Sequence, residues 1–548
     1  MKKPLKLITC LSLSLFLSNI LILNTHAQQD VDKGVNVKSK LPKPIIYDKE
    51  RVLKPIELQL QTVDINKIKL KENLVINASV DDIQNFIEKK MLTYEELVSI
   101  YLMRIEQYDQ NGPEINSITE INPDAIKEAR ELDTQMLASK NSPLYGIPIL
   151  IKDNIQTKNI MPTSAGTFVL RDWIADKDAT IVSKLKNKRA IILGKTNMSE
   201  LATTVSNTMP HGYSGKKGQT LNPYGPNQFA TSGSSSGSAA AVTSDFSTLA
   251  IGTDTQGSIL GPSENQSIVG LRPTTGLVSR SGIIPLSSEY DTAGSMARSV
   301  KDAAILLNAM IGYDLQDEKT KQGKSYENTD YTKGLSKQGL KNKKIGFLFN
   351  ANEVDPSEKA IVEKLTRDLN SAGAIVTDNL KTESRSMESV LYDFPNSFNT
   401  YLARQKNIPI KNLSGYIKYN EKDPERRIMY GQDLMKNRIE MFNEFISKIS
   451  KEELKKEQVK EQNFGKQQLN QYLVNQDFDA LILFKSNDII NIATGGFPAI
   501  AVPAGYDSDG RPIGLTFIGK HFAEKELFNM TYAYEQQSKN RKSPHFGK

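Results

Sequence analysis

A serine-rich run carries the residue types that nucleophilic catalysis needs. Residues 231–242 read TSGSSSGSAAAV, and inside them Gly233-Ser234-Ser235-Ser236-Gly237 matches the G-x-S-x-G turn that presents a serine nucleophile, with Ser235 at its centre. A serine hydroxyl is a weak nucleophile until a base takes its proton, and in that turn the base is a histidine later in the chain. The sequence holds four histidines. His26 lies in the amino-terminal apolar segment, His211 precedes the serines and His545 lies at the carboxyl end, which leaves His521 as the base that this chain order allows. The turn also requires a hydrophobic strand running into it. Leu221-Asn222-Pro223-Tyr224-Gly225-Pro226 runs in instead, and its prolines and glycine describe a loop. By composition alone, such a serine-rich run is a linker or a tight turn.

A second set of groups is independent of histidine. Lys152-Asp153-Asn154 ends the apolar run Gly146-Ile147-Pro148-Ile149-Leu150-Ile151, and Gly252-Thr253-Asp254-Thr255-Gln256-Gly257-Ser258-Ile259 follows Leu249-Ala250-Ile251. Taken singly, a lysine at a strand end is a solvated terminus and a serine after glycine is a turn. On a strand, Asp153 points to the face opposite Lys152. Other chemistries find no residues. The single cysteine, Cys10, lies in the amino-terminal apolar segment, so the remaining chain has no thiol for a disulfide, a nucleophile or a metal. No H-E-x-x-H or comparable cluster is present, and no cofactor or metal is expected. Leu193-Gly194-Lys195-Thr196 resembles the end of a phosphate-binding loop, but Arg189 stands where its first glycine is required.

These groups must be positioned by alternating helices and strands. Ser79-Val80-Asp81-Asp82 and Thr93-Tyr94-Glu95-Glu96 are capping patterns that open amphipathic helices. Gly146–Ile151 reads as a strand, with Pro148 arguing for an irregular or edge position. Ala190–Leu193 closes at Gly194, Leu249–Ile251 closes at Gly252, and short apolar strands return at 480–484, 499–502 and 513–518. The pattern implies an α/β fold around a sheet. The dense charges of 448–468, such as Glu452 and Lys456 at helical spacing, describe solvated faces.

The 548 residues are 38% hydrophobic, enough for a large core. The formal charge of +7 falls to about +4 without the three lysines of the first 27 residues, so nothing calls for nucleic acid. Residues 1–27 have the charged, apolar and small-residue parts of a secretory signal, with cleavage expected after Ala27. The chain is then secreted or associated with the cell surface, and it meets the membrane only if the signal stays uncleaved. Residues 28–70 read as an extended leader and 71–540 as one catalytic unit. Within it a core spans about 92–312, a variable Lys-rich helical region about 313–476, and strands rejoining the sheet about 477–540.

The ordered series GIPILIKDN, GKTNMSELA, SGSSSGSAAAV, IGTDTQGSI, GLRPTTGLVSRSGIIPLS, DTAGSMARSV and GFPAIAVPAGY resembles the amidase signature family. MPTSAGT, SGSSSG and AYEQQSK are most similar to its bacterial peptide amidase branch. The resemblance implies a central mixed twisted sheet covered by helices on both faces. It also implies a Ser-cisSer-Lys triad in which Lys152 is the base, Ser234 the bridge through a cis peptide, and Ser258 the acylated nucleophile. The backbone amides of Thr255, Gln256, Gly257 and Ser258 would then form the oxyanion hole. Two positions depart from the family pattern: Gln256 stands where glycine is usual, and Leu260 where arginine is common. The implied activity is cofactor-free hydrolysis of a small amide or amidated peptide by a monomer or homodimer. Three other readings stand beside it: the glutaminase component of a tRNA-dependent amidotransferase, an inactive exported binding protein on the same fold, and an α/β-hydrolase using Ser235 with His521.

Overall fold

Both capping patterns open helices. Ser79 caps Val80–Glu88 and Thr93 caps Tyr94–Arg104, each with a reciprocal bond from the third helical residue, Asp82 and Glu96. The computed structural model describes residues 45–135, 142–158, 161–448, 450–484 and 489–546, so the expected signal at 1–27 and the start of the leader lie outside the described residues. In place of an extended leader, the chain is helical over Glu50–Leu60 and Ile65–Lys69. Val52, Ile56 and Leu60 recur every fourth residue and are buried, a helical stripe that the surrounding lysines and prolines obscure.

Among the described residues thirteen strands form: β1 Ile118–Ile121, β2 Pro148–Lys152, β3 Ile191–Thr196, β4 Tyr213–Ser214, β5 Gly218–Gln219, β6 Leu249–Asp254, β7 Val269–Arg272, β8 Thr292–Ala297, β9 Lys344–Phe347, β10 Ile375–Thr377, β11 Ala480–Phe484, β12 Ala499–Tyr506 and β13 Pro512–Ile518. Eleven of them make one mixed sheet in the order β1-β3-β2-β6-β8-β7-β12-β13-β11-β9-β10, while β4 and β5 pair separately. β2 runs parallel to β3 and β6, whereas β8 pairs antiparallel with β6 and β7.

Alternation along the strands shows a sheet buried on both faces. Ala480, Ile482 and Phe484 of β11 join one apolar cluster with Ile500, Val502, Leu515 and Phe517, while Leu481 and Leu483 join another with Ala499, Ala501 and Ile518. Burying each such Leu, Ile or Phe side chain contributes about 1.5–3 kcal/mol of hydrophobic free energy.

Four local expectations change. β2 is not an edge but an interior strand, irregular as Pro148 suggests in that its register with β3 shifts between Ile149 and Leu150, and Pro148 is tolerated because it is the strand's first residue. β3 and β6 do not stop at their glycines but run through them. These glycines mark close approach instead: a Cβ on Gly194 would lie 2.4 Å from the Glu120 carbonyl oxygen, and one on Gly252 2.8 Å from Ser235 Oγ. The region 313–476 is not helical throughout, since β9 and β10 extend the sheet at its far edge. Its helices Glu388–Ala403, Leu413–Asn420 and Asp433–Lys448 pack mainly as a separate cap, with Phe394, Phe398, Leu413 and Tyr416 buried against Trp173 and Leu201 of the core.

Candidate active site

Lys152 is the last residue of β2, and β6 places Thr253 beside it. The helix Ser236–Thr243 is built of Ala and Ser, and these small side chains let it settle onto β2, β3, β6 and β8. Its approach carries Ser234 and Ser235 onto the lysine, and the Gly233–Ser234 peptide is cis.

The Lys152 ammonium position is fully buried. Its Nζ lies 2.7 Å from Ser234 Oγ, 2.9 Å from Ser235 Oγ, 2.9 Å from Thr253 Oγ1 and 3.2 Å from the Thr253 carbonyl oxygen. Burial lowers its pKa to about 7, against the weaker upward pull of Asp254 and Asp291. Asp153 is turned away, as strand alternation requires, and pairs with Lys216 on the opposite face at 3.3 Å. Accounting for protons then orients the lysine. Ser235 Oγ donates to the Thr253 carbonyl oxygen at 3.1 Å, and Thr253 Oγ1 already receives Asn154 Nδ2 at 3.1 Å. Ser235 therefore accepts from Lys152, and Thr253 Oγ1 offers a second acceptor. A neutral amine that spends its two N–H groups on these two acceptors points its lone pair at Ser234.

Ser258 sits half-exposed on the loop after β6. The Ser235 N–H donates to the Ser258 carbonyl oxygen at 3.1 Å, so the serine run and this loop are joined through backbone. The Ser258 hydroxyl makes no hydrogen bond among the described residues, and none to Ser234. Lys152 and Ser234 are thus in direct contact, whereas Ser258 is adjacent and unengaged.

The loop owes its shape to Asp254. Its carboxylate accepts the Gly257 N–H at 2.8 Å and the Ile259 N–H at 2.7 Å. The Gly257 amide is therefore not free to face an oxyanion. Those of Thr255, Gln256 and Ser258 have no acceptor among the described residues. Arg272 of β7 donates to Asp254 Oδ1 at 2.5 Å and to the Asp254, Thr255 and Tyr290 carbonyl oxygens, an anchor that sequence reasoning missed. Its trace in the sequence is GLRP, whose arginine closes β7, separated by β8 from the strand bearing the loop. Leu260 is fully buried in the apolar cluster with Leu469 and Phe497, and Arg272 supplies the cation that Leu260 does not. Gly257 has φ +86°, and a Cβ there would lie 2.3 Å from Ile489 Cδ1, so glycine is required. Gln256 is exposed and keeps a negative φ.

Ser235 lies fully buried with its hydroxyl bonded to Lys152 and Thr253, and among the described residues no histidine bonds to it. His521 Nε2 instead lies 2.8 Å from the Gly495 carbonyl oxygen, and its ring packs on Phe497. A crevice of about 550 Å3 opens above Ser234 and Thr253. Its walls include Ala165, Met198 and Leu201 of the core, Ile284 of the loop before β8, and Tyr401 of the cap.

The profile of the Amidase family matches residues 96–484. The chain belongs to the amidase family. An amidase family protein from Bacillus anthracis str. Ames is 54% identical, with a TM-score of 0.90 over 92% of this chain and 100% of that one. The peptide amidase of Stenotrophomonas maltophilia is 34% identical, with a TM-score of 0.79 over 86% of this chain and 99% of that one. A probable amidase of Arabidopsis thaliana is 34% identical over 499 residues, covering 88% of this chain and 94% of its own. Proteins named as components of glutamyl-tRNA(Gln) amidotransferases match as well. This amidase is therefore an amide hydrolase with the α/β fold and large mixed sheet of its family.

Proposed function

We propose that this amidase is an exported serine hydrolase of carboxylic amides, with C-terminal peptide amides as its substrate class. The observation that carries the reading is Lys152, buried without a carboxylate partner among the described residues, its pKa lowered to about 7, and held 2.7 Å from Ser234 Oγ beside the free hydroxyl of Ser258. Ser258 Oγ attacks the carbonyl carbon and gives its proton to Ser234, whose own proton passes to Lys152. The amides of Thr255, Gln256 and Ser258 are the available donors for the oxyanion. Lys152 returns the proton through Ser234 to the leaving nitrogen, ammonia departs, and water releases the acyl group from Ser258 along the reverse relay. The likeness to a peptide amidase over most of both chains supports the substrate class.

Treatment with a fluorophosphonate followed by peptide mapping is expected to place the adduct on Ser258. An adduct on Ser235 would transfer the chemistry to the G-x-S-x-G turn, and no adduct at all would favour the inactive binding protein. Ammonia release from glutamine but from no peptide amide would favour the amidotransferase component. The apolar segment ahead of Ala27 supports export, and sequencing the secreted protein is expected to start at Gln28; an intact Met1 would overturn it.

A further inference from the structure

The crevice reaches from Ser234 to a mouth lined by four carboxylates and four cations, not all of them paired. Each carboxylate lining it is already held. Asp176 is paired with Lys406 at 3.3 Å, Asp178 with Lys186 at 2.9 Å and Asp317 with Arg280 at 2.5 Å. Asp291 accepts the Thr255 hydroxyl at 2.5 Å and the amides of Leu286 and Ser287. Two lining cations, Lys177 and Arg404, have no carboxylate among the described residues. Lys177 and Arg404 thus stand at the crevice without an ion-pair partner among the described residues, while Asp291 is held by hydroxyl and amide donors.

Arg404 is the better placed of the two. Asn396, Thr400 and Arg404 follow at four-residue intervals along the cap helix Glu388–Ala403 and just past its end, all three exposed and all lining the crevice. That end of the helix is fixed. Gln156 Nε2 donates to Tyr401 Oη at 2.6 Å and to Gln405 Oε1 at 2.8 Å, and Trp173 Nε1 donates to the Lys406 carbonyl oxygen at 3.0 Å. A guanidinium on a fixed backbone, with its donors unspent, matches a carboxylate through two parallel hydrogen bonds.

We propose that Arg404 is a specificity residue that binds an acidic group of the substrate, remote from the scissile amide. This rests on the peptide amide reading, in which ammonia leaves and the rest of the substrate is acyl chain lying along the crevice. The preferred substrates are then amidated peptides carrying Glu or Asp upstream of the amide.

The test is a set of amidated peptides in which Glu is walked along the chain, each matched by the same peptide with Gln. At one position the Glu peptide is expected to exceed its Gln partner in kcat/KM by roughly tenfold, the effect of one charged hydrogen-bonded contact. Arg404→Gln is expected to bring that ratio to about one, and Arg404→Lys to restore part of it. Raising the salt concentration is expected to shrink it as well. Equal rates for Glu and Gln at every position, or a preference that survives Arg404→Gln, would overturn the inference while leaving the peptide amidase reading intact. Failure to hydrolyse any peptide of either series would overturn both.

Discussion

Ser258→Ala is expected to lower kcat by about 10^5-fold or more, because the acyl-enzyme can no longer form and only binding and oxyanion contacts remain. Ser235→Ala should cost far less, roughly 10- to 100-fold, since it removes one of the acceptors that orient Lys152 but leaves the proton path through Ser234. The contrast decides between two neighbouring serines. Ser235 is fully buried and its hydroxyl is committed to Thr253 and Lys152, so attack would require breaking three contacts. Ser258 is half-exposed with an unengaged hydroxyl. Both variants are to be assayed for ammonia release, with circular dichroism melts showing that each is folded. If Ser258→Ala keeps more than a few per cent of the activity while Ser235→Ala loses it, Ser258 is not the nucleophile.

What the sequence made legible was the set of groups rather than their mutual geometry. The lysine at the end of an apolar strand, the serine run and the glycine-rich loop are all visible there, as are the caps at Ser79 and Thr93. These are local signals, fixed by residues within a few positions of each other. GLRP marks Arg272 as a strand-ending arginine but not its partner, because its role is a contact across the sheet, from β7 to the loop after β6. Gly194 and Gly252 mislead for the same reason. A glycine that ends a strand and one that lets another segment come close look alike in one dimension. Only the Glu120 carbonyl oxygen and Ser235 Oγ tell them apart. The helix at 50–60 is hidden by composition, since a four-residue stripe of Val52, Ile56 and Leu60 is diluted by charged neighbours.

The cap shows the same limit on a larger scale. The lysine-rich helix that follows it, Lys451–Leu473, reads as solvated, and outward it is: Lys456 and Glu452 pair at 3.1 Å on an exposed face. Inward, Tyr401 bonds Gln156, two residues beyond the Lys152-Asp153-Asn154 motif, and Asp393 accepts the Ser287 hydroxyl at 2.7 Å and the Ser288 amide at 2.7 Å. Ser287 in turn gives its amide to Asp291, which holds Thr255 of the loop after β6. The cap is therefore connected by hydrogen bonds, through Ser287 and Asp291, to the loop that presents Ser258. Composition carries no trace of such a connection.

Lys152→Met is expected to lower kcat/KM by about 10^2- to 10^4-fold, the usual loss on removing a general base. Its sharper signature is in pH. Lys152 accepts a proton only when neutral, and burial has brought its pKa to about 7, so kcat/KM of the native enzyme should rise with pH and level off above about 7. The residual activity of the variant should lack that limb. Stability should move in a linked way. A lysine whose pKa falls on folding binds fewer protons in the native state than in the unfolded chain between about 7 and its ordinary value of about 10.4. Over that window its contribution makes the native state more stable as pH rises, and below about 7 the full cost of a buried charge remains. Replacing it by methionine removes that cost, so the variant should unfold at an equal or higher denaturant concentration at pH 6 and gain less between pH 7 and 10 than the native enzyme. Lys195, also brought to about 7 by burial, remains in both proteins and cancels in the comparison. A native profile flat across pH 6 to 8, or a variant with the same ascending limb, would remove Lys152 from the role of base.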